Sequence, residues 1–67
     1  MREAFVKKTI KAWLKEAKGF ADLDDICPIL DPEDEGDPVM EVYDHIAEVA
    51  GDLGMEITEE QGGFHVE

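Results

Sequence analysis

Two stretches of this chain carry apolar side chains at helical spacing, and each is followed by a glycine. From about Arg2 to Lys18, the residues Val6, Ile10, Trp13, Leu14 and Ala17 share an arc of roughly 100° when turned at 100° per residue. Gly19 follows as the expected stop, and lysines in the last turns suit the negative end of the helix dipole. A second helix is expected from Pro38, capped by Asp37, to about Leu53. It places Val39, Val42, Tyr43, Ile46, Val49, Ala50 and Leu53 on one face, and Gly54 ends it. In a chain of 67 residues these two apolar faces have only each other and a few short elements to bury against, so one domain over 1–67 is expected.

The remaining segments supply those elements. Asp22 is placed to cap a short helix over 23–30, with Leu23, Ile26 and either Ile29 or Leu30 turned inward. Pro28 lies inside it and shortens or distorts it. Asp31 to Asp37 reads as a polar loop, longer than a tight helix-turn-helix connection. In the tail, Met55 and Ile57 alternate with Glu56 and Thr58, residues 59–63 turn the chain, and Phe64 and Val66 alternate with His65 and Glu67. A lone hairpin is unstable, so its apolar side must lie on the helices. The expected fold is mainly α with a small β-hairpin: three helices and a C-terminal two-stranded hairpin, in winged-helix-like order.

The charge is as uneven as the hydropathy. All six basic residues fall in positions 1–18, where they outnumber two glutamates for a charge of +4. Residues 19–67 hold sixteen carboxylates and no lysine or arginine, which brings the chain to −12. Such a field repels nucleic acid and anionic membrane and attracts basic protein surfaces within a Debye length of ~8 Å. An acidic halophile surface would also raise the negative charge, but it does not account for five lysines grouped on one helix. With only Cys27, an internal disulfide and a Cys-rich metal framework are excluded. The sequence has no secretory h-region and no bilayer-length apolar run, so a cytoplasmic setting is expected.

Three charged constellations stand out. Glu41, Asp44, Glu48 and Asp52 form one acidic line down the second long helix, with neighbours ~4.5–6 Å apart along its axis. No lysine is interleaved to form the usual i,i+4 pairs, so the stripe is either a plain solvated face or a surface kept anionic for a basic partner. Asp31, Glu33, Asp34, Glu35 and Asp37 make an acidic loop. It starts like a calcium loop, but Val42 stands where a bidentate glutamate is needed, so a flexible acidic segment is the better reading and no metal is expected. On the first helix, Lys7, Lys8, Lys11, Lys15 and Lys18 form a basic face, suited to docking on the chain's own acidic segments or on an acidic partner.

Residues that carry catalysis elsewhere read here as structural. His45 sits near Glu41 and Glu48 at helical spacing, and His65 is expected to face outward. Neither has a second ligand or catalytic partner at a diagnostic spacing. Cys27 and Trp13 read as core residues, and Gly62-Gly63 as a hairpin turn rather than a phosphate cradle. No enzyme chemistry and no cofactor are expected.

Three stretches resemble one known family. They are Ala17-Lys-Gly-Phe20 leading to Leu23-Asp-Asp-Ile26 and Leu30, the helix capped by Asp37-Pro38, and Asp52-Leu-Gly-Met-Glu-Ile-Thr-Glu-Glu60. Over roughly residues 5–60 their order and spacing are similar to region 1.1, the acidic N-terminal segment of primary bacterial sigma factors. The resemblance implies an autoinhibitory module that mimics DNA charge and keeps sigma from binding promoters alone. It also implies occupation of the basic DNA channel of RNA polymerase until promoter DNA displaces it. The chain is then either an excised domain or a free-standing protein of similar shape. The expected function is that of a non-enzymatic acidic interaction module in transcription. The alternative is an acidic winged-helix adaptor, or a phage-encoded inhibitor of another nucleic-acid-handling protein.

Overall fold

The computed structural model describes residues 2–33 and 35–67; Asp34, one of the candidate loop carboxylates, lies outside the described residues. Helix α1 (Arg2–Glu16) buries Val6, Ile10, Trp13 and Leu14, the arc expected of it. It stops two residues short of Lys18. The Ala17 N–H is shared between the carbonyls of Trp13 (3.1 Å) and Leu14 (3.3 Å), after which the chain leaves the helix. Gly19, at φ 92°, then accepts from the Val66 N–H at 2.9 Å, so this stretch is drawn toward a sheet rather than into another helical turn.

The expected C-terminal hairpin is present, and a third strand joins it to make a three-stranded sheet. Strand β1 (Phe20–Asp22) pairs antiparallel with β3 (Gly63–Val66), and β2 (Ile57–Glu60) pairs with β3 on the other side. The order is β1-β3-β2, with Ala21 opposite Phe64 and Glu59 opposite Phe64 across the central strand. The hairpin turn is also tighter than expected, with Gln61 and Gly62 alone between the paired Glu60 and Gly63.

Helix α2 (Leu23–Leu30) starts at its expected cap, where the Asp22 carboxylate accepts from the Asp24 N–H at 2.9 Å. Pro28 is accommodated within it, and the Asp31 N–H closes the last turn on the Cys27 carbonyl. Between the two inward candidates packing selects Leu30, which is buried, and leaves Ile29 outside. Helix α3 (Pro38–Leu53) is capped by the Asp37 carboxylate, which accepts from the Met40 N–H. Its end is a Schellman arrangement. Gly54 sits at φ 71°, its N–H reaches Gly51 O, and the Met55 N–H reaches Ala50 O at 2.9 Å, while Met55 packs on the core.

One core joins the helices and sheet, built from α1, α2 and α3 with Ala21, Phe64 and Val66. Phe64 is its pivot. Trp13 and Tyr43 meet its ring edge-on, with centroids 6.3 Å and 5.4 Å away. The Trp13 indole N–H is satisfied by the Asp22 carbonyl at 3.0 Å. At Gly63 the strands come so close that an added Cβ would collide with the Ala21 carbonyl and stand 2.7 Å from the Phe20 ring. The result is mainly helical with a small antiparallel sheet, winged-helix-like in element order. No helix among the described residues is long and apolar enough to cross a membrane.

Candidate functional site

Helix α3 presents its four stripe carboxylates in two different ways. Glu41 is half-buried and held by Arg2 from the start of α1: Arg2 Nε and Nη2 donate to its two oxygens at 2.8 Å and 2.7 Å. This pair holds the Glu41 carboxyl below its usual range and raises the guanidinium in turn. Glu48 accepts Lys7 at 2.9 Å, and Lys7 also reaches Glu3 at 3.0 Å. Those contacts raise the Lys7 ammonium, and the Lys7 contact lowers Glu3.

The reading of an uncompensated stripe is thus corrected. No lysine is interleaved on α3, but α1 supplies two cations across the seam between helices. Asp44 and Asp52 are exposed, and neither has an ion-pair partner among the described residues. The open anionic surface of α3 therefore centres on Asp44 and Asp52, with Glu48 shared at its edge.

In the described part of the loop between α2 and α3, one side chain gathers the backbone. The Asp31 carboxylate accepts from the Glu35 N–H at 3.1 Å and the Gly36 N–H at 2.6 Å. Asp37 is spent on the α3 cap, so two of the loop's candidate carboxylates are engaged by backbone N–H groups, Asp31 within the loop and Asp37 at the helix start. Glu33 and Glu35 are exposed and continue the anionic surface. Across the fold, β2 adds Glu59, which accepts from the Tyr43 hydroxyl at 2.8 Å and raises the phenol's pKa.

The basic face divides as well. Lys7 belongs to the α1–α3 seam, whereas Lys8, Lys11 and Lys15 stand exposed on α1 and Lys18 on the turn after it. These four have no ion-pair partner among the described residues. His45 is half-buried beside the seam, and His65 lies 3.5 Å from Glu67. Cys27 packs against the core, and burial pushes its thiol upward, the wrong direction for a nucleophile. No group of three or more ligating side chains placed to hold a metal occurs among the described residues.

Sequence reasoning missed one feature. Phe5, Phe20 and Ile29 are exposed and line a single groove between α1, β1 and α2. Its trace in the sequence is Phe5, a large aromatic outside the apolar arc of its own helix. No family model, no curated protein and no solved structure matches this chain.

Proposed function

We propose that this protein is a non-enzymatic acidic interaction module that docks on a basic nucleic-acid-binding surface of another protein and occupies it in place of nucleic acid. The carrying observation is the open face of α3, where Asp44 and Asp52 stand exposed with no lysine or arginine anywhere in residues 19–67. In helix-turn-helix proteins the corresponding helix enters the DNA major groove and needs basic flanks to meet phosphates. Here its outer edge is anionic, so like charge turns it away from DNA and toward the surfaces that DNA binds. The resemblance to region 1.1 of sigma factors directs the choice of target to bacterial RNA polymerase and its sigma factor, in a cytoplasmic setting where promoter binding is restrained.

Competition tests the reading. The protein is titrated against a labelled promoter duplex held by polymerase with a sigma factor lacking its own N-terminal region. Wild type should displace the duplex at low salt and lose potency as salt rises. The double variant Asp44→Lys, Asp52→Lys leaves both α1–α3 ion pairs in place and should displace little. Equal displacement by both proteins would reduce the α3 face to ordinary solvated surface.

A further inference from the structure

Three large apolar side chains, Val39, Met40 and Tyr43, stand exposed in the first turns of α3. Met40 is 55 % exposed and Tyr43 41 %. The patch continues along the helix. At 100° per residue, Met40, Ala47 and Gly51 fall within about 40° of one another, with Tyr43 to one side and Asp44 to the other. Ala47 and Gly51 are exposed, and a Cβ added at Gly51 would meet open space. The outward face of α3 is thus an apolar strip about 16 Å long, three helical turns. An exposed strip of this kind on a small, highly charged protein marks a binding surface rather than scatter.

Carboxylates border the strip on both sides. Asp44 and Asp52 stand open along one edge, and Glu48 between them is met by Lys7 from α1. On the other edge Tyr43 leans on the sheet against Phe64, and its hydroxyl donates to Glu59 of β2 at 2.8 Å. Residues 19–67 hold no lysine or arginine, so neither α3 nor β2 brings a cation to its own edge.

We propose that this strip seats an amphipathic helix of the partner protein, one whose apolar face is flanked on both sides by lysine or arginine. The inference rests on the reading of α3 as the docking face, and it names the element that docks there. Shape favours a helix. Small side chains at Ala47 and Gly51, one turn apart, let a second helix come close, and Met40 and Tyr43 pack between its apolar anchors at i, i+4 and i+7. Charge sets the flanks, because cations on both sides meet Asp44 and Asp52 along one edge and Glu59 along the other. A second copy of this chain offers no such helix: α1, which carries all its lysines, turns its apolar arc into the core.

A displayed library of helical peptides, with leucines fixed at i, i+4 and i+7 and both flanks randomised, is selected on wild-type protein. Clones that also bind Met40→Gln, Ala47→Gln are discarded. That double variant changes two exposed side chains to a good helix former and alters no charge, so the fold and the field both stand. The kept clones should carry Lys or Arg on both flanks and bind Asp44→Lys, Asp52→Lys at least tenfold more weakly. A proline placed at the centre of a kept clone should abolish its binding. The proposal is overturned if no clone separates wild type from the glutamine variant, if the kept clones lack basic flanks, or if proline-broken clones bind as well. Self-association that the glutamine variant abolishes would make the occupant a second copy, which overturns it too. The polymerase displacement assay keeps the two readings apart. If the glutamine variant displaces the duplex as well as wild type while the lysine variant does not, the acidic face stands and the helix is removed. Equal displacement by the lysine variant removes the acidic-face reading itself, and this inference with it.

Discussion

Arg2 and Glu41, thirty-nine residues apart, face each other in a two-pronged hydrogen-bonded pair of 2.8 Å and 2.7 Å, and the same guanidinium donates to the Leu30 carbonyl at 2.6 Å. One side chain thus ties the start of α1 to the end of α2 and the first turn of α3. The planar fork matches the carboxylate, a geometry a lysine does not reproduce. Glu41 is therefore a residue of the fold, and Asp44, one turn on, is a residue of the surface.

The pair gives a pH dependence whose sign follows from the lowered carboxyl of Glu41 and Glu3. A carboxyl lowered on folding contributes stability that is present above its unfolded value, near 4.5, and is lost as pH falls through the folded one. The raised Arg2 and Lys7 contribute in the opposite sense and lose nothing until strongly alkaline pH. Urea melts of wild type and Glu41→Gln should differ at pH 7, and the gap should shrink as pH falls below about 4.5. A gap that is constant from pH 7 to 3 would remove the ion pair from the account.

Charge reversal should separate the two halves of the stripe. Glu41→Lys places a cation against Arg2 and should lower the melting temperature. Asp44→Lys relieves repulsion and should leave it unchanged or higher. Sodium chloride should raise the wild-type melting temperature by screening the surplus carboxylates. Wild type should also show no saturable binding to duplex DNA at physiological salt, as fluorescence anisotropy would read it.

Two glycines should respond to the same substitution in opposite directions. Gly63→Ala drives a methyl into the Ala21 carbonyl across the β1–β3 pair, so the strands must part, at a cost of about 1–3 kcal/mol. Gly51 lies within α3 with open space where a Cβ would stand. Gly51→Ala should stabilise by about 0.5–1 kcal/mol through reduced chain entropy in the unfolded state. Chemical denaturation of the two variants checks both signs.

Phe64 is buried between two aromatic edges on the central strand. Phe64→Ala should cost about 3–5 kcal/mol by denaturant titration. Truncation after Thr58 removes β3, the partner of both β1 and β2, and should abolish cooperative unfolding. A truncated chain that melts as cooperatively as the full one would contradict the central position of this strand.

Tyr43 is the only tyrosine, so its ionisation can be followed without overlap. Its hydrogen bond to Glu59 requires the protonated phenol and holds its pKa above 10. The stability it brings is present below that value and is lost as pH rises through the folded one. An absorbance titration should place Tyr43 above 10, and Glu59→Gln should bring it back toward 10.

Local chemistry was enough to write the helices into the sequence. Asp22 and Asp37 cap with their own carboxylates, Gly54 reverses the chain with a positive φ, and apolar spacing chooses the faces that become core. Each of these signals acts over four residues or fewer, the range at which backbone and neighbouring side chains meet. The anionic character of the α3 surface was legible for the same reason. What only the tertiary structure decided depends on residues far apart. Strand β1 is three residues long, too short to show alternation, and exists because β3 lies beside it. Gly63 is required by the approach of Ala21, and Leu30 is chosen over Ile29 by the core that receives it. Arg2 and Lys7 divide the acidic stripe into paired and open carboxylates, and the Phe5, Phe20 and Ile29 groove forms where three elements meet. Periodicity names the face a residue occupies, and only packing determines which chemical group lies opposite it.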